Sequence, residues 1–184
     1  MNTTIHVTDY LLGHEDPELA RLEREARVLA PATRAILTLA GLRPGMRVLD
    51  LGTGAGDVAM LAAEIVGPAG SVVGFDLADD ALERAARRVH ARGLGNVTLA
   101  HADVSDAALG TFDAVVGRLV LLYAPDPAAV LRHHAQRLAP GGVLVAMKYD
   151  MHVPRSTPQV PLADRSMAWI RAAFEGCGLD PCAR

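Results

Sequence analysis

Residues Val48–Asp57, with the sequence VLDLGTGAGD, decide the fold of this 184-residue chain. The short run Arg47–Leu51 predicts a strand that is buried on both faces of a sheet. Glycines then follow at alternate positions, at Gly52, Gly54 and Gly56. Because glycine has no Cβ atom, this loop can turn tightly and its backbone can come close to a ligand. The pattern indicates a strand that ends in a glycine-rich binding loop.

Strands and helices alternate on the carboxyl-terminal side of this loop. The strands are continuous apolar runs, which are typical of a parallel sheet covered by helices on both faces. The fold class is therefore α/β, with a doubly wound sheet. Further strands are predicted at 71–76, 97–101, 112–117 and 142–149, and helices at 57–66, 79–92, 127–138 and 162–175.

The amino-terminal region predicts two short helices, over 17–29 and 32–40. Pro31 suits the first turn of the second helix and Gly41 suits its end. We therefore divide the chain into an amino-terminal helical lid segment, 1–41, and a core domain, 42–184.

Composition excludes several classes of protein. Eighteen basic and 21 acidic residues give a net charge of −3, and the arginines are scattered, so we expect no nucleic-acid partner. No stretch approaches the roughly 18 apolar residues that a spanning helix needs. The first residues lack the basic start and apolar run of a signal peptide. Only two cysteines occur, both near the end, so no disulfide framework is expected. We expect a soluble, cytoplasmic, single-domain protein that does not bind membranes.

Acidic residues around the glycine loop argue against a dinucleotide as the ligand. The dinucleotide fingerprint is G-x-G-x-x-G, whereas this loop reads G-x-G-x-G with Asp50 before it and Asp57 after it. Two carboxylates there would repel a pyrophosphate and would suit a ligand that carries a positive charge. Asp76, 24 residues after Gly52, ends the second strand and could accept hydrogen bonds from a ribose diol. An NAD(P)-dependent oxidoreductase is the less favoured reading.

Five motifs together carry a resemblance to a known family. They are VLDLGTGAGD (48–57), GFD (74–76), HADV (101–104), FDAVVGRLVLLY (112–123) and LAPGGVLV (138–145). In this order they resemble the motifs of class I S-adenosylmethionine-dependent methyltransferases, and among these the small-molecule, ubiquinone-biosynthesis-type (UbiE-like) branch. The resemblance implies a Rossmann-like sheet of about five strands in the order 3-2-1-4-5. It also implies S-adenosylmethionine as the cofactor, S-adenosylhomocysteine as its product, and a small organic molecule as the methyl acceptor.

The resemblance assigns one set of residues to the methionine part of the cofactor. Gly52, Thr53 and Gly54 would line it, and Asp50 would lie near its amino group. Arg118, just past the fourth strand, would contact the carboxylate of the cofactor or else the acceptor, and a structural ion pair is the alternative for this residue.

A second set is assigned to the nucleoside part. The resemblance implies that Asp76 binds the ribose hydroxyls and that Leu77 packs against the adenine. Asp103 would accept a hydrogen bond from the adenine amine, and Val104 would close the edge of the ring. Alternatively, Asp103 is a turn residue with nothing bound.

No catalytic residue is assigned. A sulfonium donor is already activated, so a base is needed only for an acceptor with an acidic hydroxyl or carbon. Candidates near the ends of strands four and five are Tyr123, Tyr149, Asp150 and His152, and His14 is a further one in the lid segment. No metal site is expected, since the histidine and cysteine spacings do not suit one.

The carboxyl-terminal end is shorter than the resemblance implies. The family usually ends with an antiparallel strand pair beyond the fifth strand, but only 34 residues follow Asp150. Residues 142–149 would then form an apolar edge strand. We expect a truncated chain, or a partner such as a second copy that covers this edge. The alternative function is a catalytically incomplete cofactor-binding fragment or subunit that needs a partner chain.

Overall fold

Five strands form one parallel sheet in the order β3-β2-β1-β4-β5, as predicted. The computed structural model describes residues 16–103, 110–149, 151 and 157–180. The strands are β1 (Arg47–Leu51), β2 (Ser71–Asp76), β3 (Val97–His101), β4 (Phe112–Arg118) and β5 (Leu138–Met147). The helices are α1 (Asp16–Leu39), α2 (Asp57–Val66), α3 (Asp79–Ala91), α4 (Pro127–Ala135) and α5 (Pro161–Gly176), with a short 3-10 turn at Leu121–Tyr123.

Apolar side chains fill both faces of the sheet. In β1, Val48 belongs to a cluster that includes Leu37 of α1 and Ala59 of α2. The next residue, Leu49, belongs to a second cluster that includes Val130 of α4. Because neighbouring residues of a strand point to opposite faces, these two clusters lie on opposite sides of the sheet. The doubly wound, Rossmann-like arrangement is confirmed.

Helix α1 corrects the prediction of two amino-terminal helices. It runs without a break from Asp16 to Leu39 and contains Pro31 in its interior. Ala26, Thr33 and Leu37 are all buried and follow one another at helical spacing on both sides of the proline. Pro31 itself is exposed, so its ring lies on the solvent side. The buried stripe therefore holds the two halves as one helix despite the hydrogen bond that proline cannot donate.

Strand β5 begins four residues earlier than predicted, and α4 ends earlier. Leu138, expected at the end of the helix, instead pairs with Phe112 of β4. The register shifts just after this pair, where Gly142 packs against backbone. A Cβ atom on Gly142 would lie 2.9 Å from the carbonyl oxygens of Ala139 and Asp113. The adjacent glycines Gly141 and Gly142 therefore lie inside β5, where they allow its irregular register, and they do not mark the start of the strand.

The strands are parallel, so their carboxyl ends share one edge of the sheet. In such sheets, ligands bind at this edge, where the winding direction reverses between β1 and β4. Among the described helices, none has the length and apolar character required to cross a bilayer.

Candidate functional site

The three glycines of the loop after β1 all have positive φ angles, which favour glycine. A Cβ atom on Gly52 would lie 2.4 Å from Cγ2 of Val120, and one on Gly56 would lie 3.1 Å from Cβ of Ala85. These two glycines are therefore required for packing. Gly54, with φ 52°, has no atom within 4 Å of the corresponding position. Gly54 is thus the part of the loop that leaves space for a ligand.

Asp50 is a buried carboxylate directly beneath this loop. It is 1% exposed, and burial raises its pKa to about 7. Hydrogen bonds from the Thr53 hydroxyl, at 2.7 Å, and from the backbone N–H of Ala59 oppose this rise, as does the positive charge of Arg118. The nearby carboxylate of Asp76 adds to it. Asp50 is therefore a group whose charge responds to any cation placed near it.

Thr53 fixes the loop against the second strand. Its backbone N–H donates to the carbonyl of Phe75 at 2.8 Å, and its hydroxyl donates to Asp50. A Cβ atom on Gly74 would lie 2.7 Å from this hydroxyl oxygen, so Thr53 fits only because β2 has a glycine there. Thr53 is buried, and its observed contacts hold the loop in place.

Asp76 lies at the end of β2 and faces the loop. Its Oδ2 accepts the N–H of Gly54 at 2.8 Å, and its Oδ1 accepts the N–H of Ala78 at 3.0 Å. The neighbouring Leu77 is 42% exposed. Oδ1 of Asp79, the first residue of α3, lies 3.0 Å from Nδ1 of His101.

Of the three residues assigned to the adenine, Leu77 and Asp103 lie within the described residues. Asp103 follows β3 and is partly buried. The preceding Ala102 donates its N–H to the carbonyl of Asp76 at 3.1 Å, so this loop follows the end of β2. Val104 lies outside the described residues. The predicted adenine contacts of Leu77, Asp103 and Val104 stay predictions.

Arg118 ends β4 beside a sharp turn of the backbone. The next residue, Leu119, has φ 64°, a left-handed conformation that is uncommon for a leucine and is typical of functional sites. This turn brings Val120 against Gly52. Nη1 of Arg118 donates to the buried hydroxyl of Thr33 on α1 at 3.1 Å. Arg118 thereby joins helix α1 to the carboxyl edge of the sheet.

A second contact between α1 and the sheet lies beyond β5. The hydroxyl of Tyr149 donates to Oε1 of Glu25 at 2.7 Å, and Oε2 of Glu25 accepts from Arg21 at 2.8 Å. Partial burial, together with this hydrogen bond and the charge of Glu25, raises the pKa of Tyr149 to about 12. Tyr149 therefore stays protonated near neutral pH, which makes it unsuitable as the base for which we considered it.

Of the remaining candidate bases, only Tyr123 lies within the described residues. Tyr123 packs against Phe174 of α5, with ring centroids 5.7 Å apart. Asp150, His152 and His14 lie outside the described residues. In the part of the chain that the structure describes, no group of three or more histidine, cysteine or acidic residues is arranged to hold a metal ion.

Two functional candidates escaped the sequence analysis, Glu25 and Arg88. Arg88 of α3 reaches the back of the glycine loop, where its Nη2 lies 2.6 Å from Oδ1 of Asp57. The charge of Asp57 is thus neutralised behind the loop, which weakens the repulsion of a pyrophosphate that we expected from this residue. Of the other two carboxylates, Asp76 accepts a hydrogen bond from the loop at Gly54, and Asp50 is buried beneath the loop.

Comparisons with known proteins agree with this arrangement. A family model described as a methyltransferase domain matches residues 42–172. The nocamycin O-methyltransferase of Saccharothrix syringae is 40% identical over 114 residues, which are 61% of this chain and 41% of that protein. The aklanonic acid methyltransferase DauC of Streptomyces sp. (strain C5) is 30% identical over 178 residues, covering 80% of this chain and 81% of that protein.

A solved structure shows the same fold over most of the chain. The S-adenosylmethionine-dependent methyltransferase from Aquifex aeolicus superposes with a TM-score of 0.63, 21% sequence identity and 88% coverage of both chains. Length, in contrast, differs among the relatives. The chain spans less than half of the nocamycin enzyme but about four fifths of DauC.

Proposed function

Because this chain belongs to the methyltransferase-domain family, we propose that it binds S-adenosylmethionine and catalyses methyl transfer to a small organic acceptor. One observation carries the proposal. The open space at Gly54 lies beside a carboxylate, Asp76, that is hydrogen bonded to the same glycine. A nucleoside needs both features, namely backbone that it can approach closely and an acceptor for its ribose hydroxyls.

The residues of the site fit this cofactor better than they fit a dinucleotide. Asp50 lies beneath the loop to which a dinucleotide would bring its pyrophosphate, and its ionised form would repel that group. The same charge favours a ligand with an ammonium group and a sulfonium centre. We assign the methionine part to Asp50, Gly52, Thr53, Gly54 and Arg118. We assign the nucleoside part to Asp76, Leu77, Asp103 and Val104.

Methyl transfer from a sulfonium donor requires the protein mainly to bind the donor and the acceptor and to align them. When bound, S-adenosylmethionine supplies a methyl group on a positively charged sulfur, which leaves as the neutral thioether of S-adenosylhomocysteine. The chain would hold the acceptor in line with that methyl group and keep water away. Alignment of this kind accounts for about 7–11 kcal/mol of barrier lowering in favourable systems. For an acceptor that must lose a proton, Glu25 is the carboxylate available between α1 and β5.

The acceptor would bind between α1 and the ends of β4 and β5. Support comes from the polar groups gathered there, namely Arg118, Thr33, Tyr149 and Glu25. The two named relatives act on small organic molecules, by the names they carry, which favours an acceptor of that kind. Placement in the ubiquinone-biosynthesis-type branch stays a prediction, which the order of the five motifs supports.

Calorimetric titration of the purified chain with S-adenosylhomocysteine tests the proposal. We expect one saturable site, with no heat from NAD under the same conditions. Tight binding of NAD with none of S-adenosylhomocysteine would overturn it in favour of an oxidoreductase. A methyl-transfer assay against a panel of phenols, carboxylic acids and amines, paired with intact-mass analysis, then separates an active enzyme from a subunit that only binds the cofactor.

The predicted partner at the fifth strand has its own test. Among the described strands, β5 pairs only with β4. Unpaired strand edges are sites of association, which supports a second copy at this position. Light scattering should then give a dimer mass, and Ala146→Pro, at an exposed position of β5, should return the chain to a monomer without abolishing S-adenosylhomocysteine binding. A monomeric wild-type protein would contradict this arrangement.

A further inference from the structure

A network of charged side chains connects helix α1 to the back of the glycine loop. Arg88 of α3 stands at its centre. Nη1 of Arg88 donates to the carbonyl oxygen of Ala55 at 2.6 Å, and Nη2 contacts the carboxylate of Asp57 at 2.6 Å. One guanidinium group therefore binds both the main chain of the loop and the side chain of the first residue of α2.

On its other side, Arg88 meets α1. Its Nε lies 3.9 Å from Oε1 of Glu23, and the same oxygen accepts a 2.5 Å hydrogen bond from Nε of Arg84. The hydrogen bond from Arg84 lowers the pKa of Glu23, assisted by the charges of Arg88, Arg84 and Arg27 and opposed by burial. Glu23 is therefore the anionic group through which α1 is held to α3.

This network differs from ordinary surface ion pairs in its surroundings. The side chains of Arg88, Arg84, Glu23 and Asp57 are each 17–24% exposed, whereas the neighbouring pair Arg87–Glu83 is about 70% exposed and 3.6 Å apart. Exposed pairs of the latter kind contribute little to stability. Charge-assisted hydrogen bonds that are partly buried and well aligned are stronger than such exposed pairs, and they fix the relative orientation of the two groups. Because Arg88 also donates to the carbonyl of Ala55, the ion pairs are linked to the position of the loop backbone.

We propose that Arg88 is a positioning residue that couples helix α1 to the cofactor loop. This inference rests on the proposed function. A ligand at Gly54 would order the loop and so fix the carbonyl of Ala55. Since Arg88 bonds to this carbonyl and also contacts Glu23, the position of α1 would be fixed as well. The same helix presents Thr33 and Glu25 to the acceptor side. Cofactor binding therefore prepares the acceptor site, and because linkage is reciprocal, α1 strengthens cofactor binding by the same factor.

The test uses S-adenosylhomocysteine as the ligand, with two readouts that need no methyl transfer. Calorimetry gives its Kd, and hydrogen exchange gives the protection of α1 with and without ligand. Variants are Arg88→Met, Arg88→Lys, Glu23→Gln and the double variant Glu23→Gln/Arg88→Met. Arg87→Met, one residue away on the exposed face of α3, is the matched control.

We expect Arg88→Met to raise the Kd about tenfold and Glu23→Gln to raise it about three- to tenfold. Their effects should not add in the double variant, as for residues of one network. Arg88→Lys should recover only part of the affinity, because an ammonium group lacks the planar fork that serves two acceptors. Ligand should protect α1 in the wild type and in Arg87→Met, and should not protect it in Glu23→Gln.

Several outcomes would overturn the coupling. They are an unchanged Kd in Arg88→Met and Glu23→Gln, additive effects in the double variant, or ligand-induced protection of α1 that survives Glu23→Gln. A fall in melting temperature with wild-type Kd would likewise reduce Arg88 to a structural role. If Arg88→Met does not fold, Glu23→Gln and Arg88→Lys decide the question. If the wild type itself binds no S-adenosylhomocysteine, the proposed function fails and the coupling with it.

Discussion

The backbone N–H of Gly54 donates a 2.8 Å hydrogen bond to Oδ2 of Asp76, across 22 residues of sequence. The bond ties the loop after β1 to the last residue of β2. Oδ1 of the same carboxylate accepts from Ala78 at 3.0 Å. A carboxylate has about four lone-pair positions, so two backbone bonds leave capacity for two more. Asp76 can therefore orient the loop and still accept hydrogen bonds from a ribose diol.

Replacing Asp76 with asparagine should weaken S-adenosylhomocysteine binding at least tenfold, as measured by calorimetry. Asparagine keeps the size of the side chain but has one acceptor oxygen, so it cannot accept from both Gly54 and Ala78 and also serve a ribose. A tenfold loss corresponds to about 1.4 kcal/mol of binding free energy.

The matched control for this change is Asp80→Asn, at an exposed position in the first turn of α3. It removes the same charge a few residues away and should leave the Kd within about twofold. Equal effects at Asp76 and Asp80 would mean that only the net charge matters, and the assignment of Asp76 to the ribose would be wrong.

Alanine at Gly54 should abolish cofactor binding with only a modest loss of stability. The added methyl group meets no protein atom within 4 Å, so it would occupy the space that we assign to the ligand. Gly41→Ala is the matched control, because Gly41 also has a positive φ and open surroundings but lies outside the site. Both variants should lose about 1–2 kcal/mol of stability from the left-handed backbone.

Urea unfolding and calorimetry together separate the two effects. Gly54→Ala and Gly41→Ala should unfold at similar urea concentrations, but only Gly41→Ala should bind S-adenosylhomocysteine with wild-type affinity. Normal binding by Gly54→Ala would show that the open space serves no ligand.

Local signals in the sequence account for what was predicted correctly. The apolar strands, the glycine loop and Asp76 at the end of β2 each depend on neighbouring residues, so they could be read directly. Glu25 and Arg88 could not. Glu25 pairs with Arg21 four residues earlier, a spacing typical of a solvated helix face. Its contact with Tyr149 spans 124 residues and arises only from packing.

The buried carboxyl of Asp50 predicts a specific dependence of stability on pH. Burial raises its pKa to about 7 in the folded chain, whereas an unfolded aspartate titrates near 4. Between these values the folded state holds a proton that the unfolded state has lost. The Asp50 contribution to the free energy of unfolding is therefore fully present below about pH 4, falls as pH rises towards 7 and is constant above that.

Asp50→Asn isolates this contribution, since asparagine does not titrate. The stability of the variant relative to the wild type, measured by urea unfolding, should rise with pH between about 4 and 7 and then level off. An ammonium group near Asp50 would favour the ionised form, so the wild-type affinity for S-adenosylhomocysteine should also rise from pH 6 to 8. Parallel stability curves for the two proteins would contradict the raised pKa.

The contact between Tyr149 and Glu25 should be visible in a spectrophotometric titration of tyrosine. Burial and the carboxylate of Glu25 raise the pKa of Tyr149 to about 12. In Glu25→Gln the repulsion between two anions is gone, so this pKa should fall, although burial keeps it above the usual value near 10. Tyr149→Phe should remove the late-titrating tyrosine altogether. If Glu25→Gln leaves the pKa of Tyr149 unchanged, Glu25 of α1 does not contact Tyr149 in solution.

Pro31 gives a test of helix α1 as one continuous element. An interior proline lacks an N–H and clashes with the preceding turn, at a cost of about 3 kcal/mol in a regular helix. Pro31 lies on the exposed side between buried Ala26 and Thr33, so alanine removes no buried contact there. Pro31→Ala should therefore raise the urea midpoint of unfolding. If instead α1 were two helices that meet at residue 31, the proline would stand in a favourable first turn, and its loss would be neutral or destabilising. Pro44→Ala, in an exposed turn, is the control in which only the rigidity of the unfolded chain changes, and it should not raise the midpoint.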